Sequence, residues 1–207
     1  MIRVGAMMVA GAAALGLQAG CVPMMLGAGA AGAYSSLEDR RSTGTQIDDE
    51  SIEVRASNRL NDRFGGNVHI NVTSYNRIAL LTGEVPDDRA REEAEKIVRA
   101  VPTVRDVSND LQVSGISSLP SRANDSYLTT KVRGRLFDTK RVSPVHLKVV
   151  SESGAVYLMG VVTEAEADEA VDIARNTGGV RKVVKVFEYC KAEDELCRAA
   201  ARRRAGP

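Results

Sequence analysis

Tryptophan is absent from this 207-residue chain, aromatic residues make up only 4% of it, and it contains three cysteines. It also lacks a charge of one sign: 28 Lys and Arg stand against 27 Asp and Glu, a formal net charge of +1. A general nucleic-acid binder normally carries a basic excess, so that class is set aside. No Ser/His/Asp grouping, phosphate-cradling glycine loop or recurring carboxylate pair stands out either, so no enzyme and no cofactor are expected.

What the chain does have is an internal repeat. Ser153-Gly154-Ala155-Val156-Tyr157-Leu158-Met159-Gly160-Val161-Val162 echoes Arg77-Ile78-Ala79-Leu80-Leu81-Thr82-Gly83-Glu84-Val85. Each reads as a strand leaving a tight turn, with apolar residues at every second position burying one face. Gly83 and Gly160 fall on that alternation, where a missing side chain admits a close neighbour. The match extends outward: Val68–Val72 pairs with Val145–Val149, and Ile52, Ala56 and Leu60 with Leu128, Val132 and Leu136. The offset stays at about 76 residues, with one-residue slips in loops, which makes two similar small domains. Each is small enough for its stability to be marginal, so packing of one against the other is expected.

The two copies are preceded by a leader. Arg3 is the only charge before an apolar run from Val4 to Leu17, and Gln18-Ala19-Gly20-Cys21 follows. A basic start, an apolar middle and small residues at a cut site describe a secretory signal over residues 1–20. Cysteine after Ala-Gly resembles a bacterial lipobox, with Gln18 where that pattern carries an aliphatic residue. Cys21 is then the lipidated N-terminus; an uncleaved membrane anchor and a plain secreted protein are the alternatives. Val22 after the cysteine resembles lipoproteins sent to the outer membrane. Residues 21–46, Gly/Ala-rich and then polar, read as a flexible tether.

The first domain spans 47–114. A helix begins near Asp48-Asp49 with the stripe Ile52, Ala56, Leu60 and ends at Gly65-Gly66. Strands at Val68–Ser74 and Ile78–Val85 flank a hairpin turn at Tyr75-Asn76. A helix from Pro86-Asp87-Asp88 stops at Pro102, and Val104–Val113 forms a third strand. After a linker at 115–122, the second domain (123–190) repeats this order: helix Asp125–Asp138, strands Val145–Ser151 and Ala155–Val162, helix Glu164–Asn176, strand Val180–Tyr189. The fold class is α+β, each unit αββαβ with a small mixed three-stranded sheet on two helices. The tail, 191–207, is basic. Cys190 and Cys197 would lie roughly 10 Å apart on one continuous helix, too far for a disulfide. A bridge needs the tail to fold back.

Two αββαβ units, each with a Val-x-Leu-x-Gly-x-Val type strand, resemble BON domains. A lipobox followed by Ser42-Thr43-Gly44-Thr45-Gln46-Ile47-Asp48-Asp49 and two such units is similar to dual-BON outer-membrane lipoproteins. The resemblance rests most specifically on that stretch, on Ile70-Asn71-Val72-Thr73 and on Leu158-Met159-Gly160-Val161-Val162-Thr163-Glu164. It implies a non-enzymatic protein on the periplasmic face of the outer membrane that supports envelope integrity, with BON domains proposed to bind phospholipid.

Comparing the copies locates a candidate surface. Tyr127, Lys131 and Arg135 lie four apart beside Leu128 on the second domain's first helix, where the first domain has Ser51, Arg55 and Arg59. Arg133, Lys140, Arg141 and Lys148 add positive charge, opposed by Asp138. An aromatic ring with a wet tip among cations suits a phospholipid headgroup interface; an ordinary solvated helix face is the plainer alternative. Tyr127, Leu128, Lys131 and Arg135 are therefore the expected contacts to an anionic phospholipid membrane. An adaptor docking another envelope protein through the same helix or the sheets is the competing reading. His69 and His146 occupy equivalent positions, but no carboxylate or cysteine recurs beside both, so no metal site is expected.

Overall fold

The computed structural model describes residues 39–139, 141–191, 193, 194 and 197. The leader, Cys21, Lys140 and Arg202–Arg204 lie outside the described residues.

In the first domain, helix α1 (Thr43–Phe64) is followed by β1 (His69–Tyr75), β2 (Ile78–Val85), α2 (Asp88–Arg99), β3 (Asp106–Asn109) and β4 (Gln112–Val113). In the second, α3 (Leu119–Asp138) precedes β5 (Leu147–Glu152), β6 (Ala155–Val162), α4 (Glu164–Arg175) and β7 (Lys182–Tyr189). Both hairpins are antiparallel, and the strand after each second helix runs parallel to the central strand. The sheets are thus mixed, β1-β2-β3 (with β4 also on β2) and β5-β6-β7.

Both leading helices start earlier than their apolar stripes indicate. Ser42 caps α1 by accepting from the Thr45 N–H, and Ser118 caps α3 by accepting from the Ser121 N–H. The tether therefore becomes helical at Thr43, and the linker shortens to 114–118. Stripe periodicity misses such starts because the first turns are fixed by capping, not burial. The expected third strand of the first domain is split at Asp110-Leu111, where Leu111 turns into the core.

Each hairpin turns through two left-handed residues, Asn76 (φ 51°) and Arg77 (φ 65°) in one domain and Ser153 (φ 48°) and Gly154 (φ 72°) in the other. That is the twist-matched two-residue turn, and a buried carboxylate on the leading helix holds it. Asp49 accepts from the backbone N–H of Asn76 (2.9 Å) and Arg77 (2.7 Å). Its repeat equivalent Asp125 accepts from those of Ser153 (2.9 Å) and Gly154 (2.8 Å). Asp49 accordingly serves the hairpin from inside α1 rather than the helix N-terminus.

Ile52, Ala56 and Leu60 meet Ala79, Leu81 and Val85 in the first core, and Leu128, Val132 and Leu136 meet Val156, Leu158 and Val162 in the second. The other faces of the central strands are buried as well. Tyr75 and Leu80 pack against Ala155, Tyr157, Met159 and Val161 in a third core between the domains. The one-face reading of β2 and β6 is thereby corrected: their second faces leave water against the opposite sheet.

Candidate functional site

On α3 the ring of Tyr127 is 65% exposed and that of Phe137 is 73% exposed. Leu128, Val132 and Leu136 point into the core, so helical periodicity puts both rings on the ridge roughly opposite that stripe. Leu128 is 2% exposed and belongs to the core, which removes it from the contact surface. The two cations run down the flank beside Tyr127. Lys131 Nζ donates to the Gly178 carbonyl (2.9 Å), and Arg135 donates to the Asn176 carbonyl and to Thr177 Oγ1. Both therefore engage carbonyls just beyond the C-terminal end of α4, where the helix dipole favours cations. Phe137 escaped the comparison of the copies because it stands outside the four-residue ladder. A large apolar residue off the core stripe was the available signal.

The two domains meet through a seam with approximate two-fold character. Tyr75 Oη donates to the His146 carbonyl (3.1 Å), and Lys148 Nζ donates to the Ser74 carbonyl (3.2 Å). On the other side Glu152, the equivalent of Tyr75, faces His69, and Asn71, the equivalent of Lys148, donates to Glu152 (2.8 Å). Both histidines alternate out of phase with their buried apolar neighbours, toward the side bearing Asn71 and Lys148. That side is the seam: His146 is buried and His69 partly so. Two different carboxylates converge on His69, Glu84 from the facing strand (Nδ1 to Oε2 3.0 Å) and Glu152 from the other domain (Nδ1 to Oε1 3.9 Å). Among the described residues these three form the group able to hold a metal ion. Neither carboxylate is conspicuous in sequence, because one arrives by strand register and the other by domain packing.

Cys190 and Cys197 are joined in a disulfide, with Cα atoms 6.2 Å apart. The tail thus folds back past the end of β7. Among the described residues no helix is long and apolar enough to cross a membrane.

Tandem αββαβ units joined sheet to sheet define the class: a duplicated two-domain protein with an exposed aromatic ridge on its third helix. The BON domain model matches residues 48–115 and 124–191, and the chain belongs to the BON-domain family. It is 40% identical over 172 residues to outer membrane lipoprotein DolP of Haemophilus influenzae, covering 82% of this chain and 89% of that protein. A 21 kDa hemolysin of Actinobacillus pleuropneumoniae is 35% identical over 73% of this chain and 79% of its own. Osmotically-inducible protein Y of Escherichia coli is 30% identical over 68% of this chain and 72% of its own.

Proposed function

We propose that this is a lipid-anchored protein on the periplasmic face of the outer membrane, which supports envelope integrity by peripheral contact of α3 with anionic phospholipid. The signal-like leader before Cys21 and the likeness to outer membrane lipoprotein DolP of Haemophilus influenzae support the anchoring and the location. The observation that carries the contact is the outward ring of Tyr127, with Phe137 on the same ridge and Lys131 and Arg135 on its flank. A ring packed inward would have left the helix an ordinary cover for the core.

Each basic residue near an anionic surface contributes about 1 kcal/mol, so Lys131 and Arg135 supply roughly 2 kcal/mol, and partial burial of the Tyr127 and Phe137 rings adds about as much again. Such a free energy corresponds to affinity on the order of millimolar, too weak for a free protein. A lipid at Cys21 raises the local concentration of the domain and makes the weak contact usable. In this division the anchor recruits the protein and α3 selects the patch.

The test is binding of a soluble fragment from residue 39 onward to phosphatidylglycerol vesicles, with and without Tyr127→Glu. Loss of vesicle binding is expected for the substituted protein, and Phe137→Glu should act in the same direction. Binding unchanged by both substitutions would overturn the choice of helix.

A further inference from the structure

The two sides of the seam differ in what balances their carboxylates. On one side His146 sits beside Glu166, and the Arg40 guanidinium lies on the same carboxylate (Nη1 to Oε2 2.7 Å) and on the Val161 carbonyl (2.7 Å). On the other side the repeat equivalents place Glu84 where Val161 stands, Glu152 where Tyr75 stands and, by the offset of 76 that relates the caps Ser42 and Ser118, Ile116 where Arg40 stands. Two carboxylates, with side chains 4% and 5% exposed, therefore share one histidine and no guanidinium in the position of Arg40. Close, desolvated like charges are costly unless a cation balances them.

The geometry points to a binding site for a divalent transition-metal ion of the Zn²⁺ type, ligated by His69, Glu84 and Glu152. Their ligand atoms lie within 4.8 Å of one another. A tetrahedral ion with ligands at about 2.1 Å needs them roughly 3.4 Å apart, a shift of side-chain torsions only. An imidazole nitrogen with two carboxylates suits Zn²⁺; Mg²⁺ and Ca²⁺ prefer oxygen alone. Two carboxylates would cancel the charge of the ion. The partners around the ligands are already in place: Asn71 donates to Glu152 Oε2 (2.8 Å) and leaves Oε1 toward the histidine. The Ser117 N–H donates to Glu84 (3.1 Å), and Ser117 Oγ, 3.4 Å from His69 Nδ1, faces the fourth position. A cleft of about 500 Å³, lined by His69, Asn71 and Glu152 together with Arg122, Arg133 and Asp125, opens beside these residues. The ion would clamp β1 and β2 of the first domain, the linker and β5 of the second, so its consequence is a fixed domain orientation.

The experiment is calorimetric titration of Zn²⁺ into the untagged full-length chain in detergent, with the disulfide kept oxidised. Uptake of about one equivalent is expected, with no heat from Mg²⁺, and a raised melting temperature, since ligands that bind only the folded state stabilise it. His69→Gln and Glu152→Gln should each weaken uptake by at least roughly tenfold, with circular dichroism as the check that they fold. A second measurement needs no variant: Co²⁺ should broaden the backbone NMR signals of Ser117 and Ser153 in the unmodified chain before others. Absence of Zn²⁺ binding, uptake equal in the folded variants, or broadening centred elsewhere would each overturn the site.

Discussion

Arg40 and Glu166 form a two-pronged ion pair across a sequence separation of 126 residues, Nη1 to Oε2 at 2.7 Å and Nη2 to Oε1 at 3.0 Å. The pair ties the residue preceding the first domain to the capping box of α4 in the second, where Glu166 also accepts from the Thr163 N–H (2.9 Å). The side chains are 6% and 14% exposed. The start of the first domain is therefore docked on the second.

Acid should undo this clamp. Burial by itself pushes the Glu166 carboxyl up, but hydrogen bonds from His146, Arg40 and the Thr163 backbone outweigh it and hold the carboxyl well below its usual range. A group whose folded pKa is depressed stabilises fully above the unfolded value of 4.5 and loses that contribution as pH falls below it. Glu166→Gln should cost about 3 kcal/mol at pH 7, because it leaves Arg40 buried and uncompensated. In urea titrations the gap between wild type and variant should shrink toward pH 3. A gap of equal size at both pH values would refute the assignment.

The hairpin clamps offer a matched pair of tests. Asp125→Ala removes the acceptor of one buried and one partly buried N–H group and should destabilise by about 3 kcal/mol, whereas Asp125→Asn keeps one acceptor and should cost less. Asp49→Ala should cost more than Asp125→Ala, since Asp49 also accepts from Ser74 Oγ (2.7 Å) and from Arg41 (2.8 Å). Chemical denaturation followed at 222 nm ranks the three; equal losses for both alanine variants would contradict the extra bonds.

Gly83 has φ 114°, and a Cβ there would meet the His69 carbonyl oxygen at 2.0 Å. At Gly160 the nearest approach is 2.5 Å, to the His146 carbonyl. Gly83→Ala should therefore destabilise by about 3 kcal/mol and Gly160→Ala by less, because only the first adds backbone strain to the clash. Thermal melts of the two variants give the order. The close approach comes from β1 at Gly83 and from the 3-10 turn just before β5 at Gly160.

Tyr75 links the domains by its hydroxyl on the His146 carbonyl, and the Arg41 guanidinium from its own side of the seam stacks 3.9 Å from its ring centre. Truncating a buried ring of this size costs roughly 3–5 kcal/mol. Tyr75→Ala should lower stability by that much and resolve one unfolding transition into two, as the domains lose their shared core. A single transition of unchanged width in calorimetry would count against the third core as the source of cooperativity.

Duplication, strand and helix order and the first two cores were legible in the sequence, because period-2 and period-3.6 apolar patterns record which face is buried. Ile52, Leu60, Leu128 and Leu136 could be placed without coordinates for that reason. Tyr127 was legible too, by contrast with Ser51 in the other copy. The role of Asp49 and Asp125 is not legible in the sequence: the repeat keeps both, but a hydrogen bond to a distant turn leaves no periodic trace.

By itself the sequence determined two αββαβ units, their element order and the leading helix that carries the odd aromatic residue, whereas the first hairpin turns at Asn76-Arg77, one residue beyond the expected Tyr75-Asn76. Only the tertiary structure decided that the second faces of β2 and β6 are buried, that Leu128 is core while Phe137 is exposed, and that Glu84 and Glu152 meet at His69. The division has one physical cause. Patterning along a chain reports burial within a unit, whereas contacts between units depend on how two finished surfaces fit together.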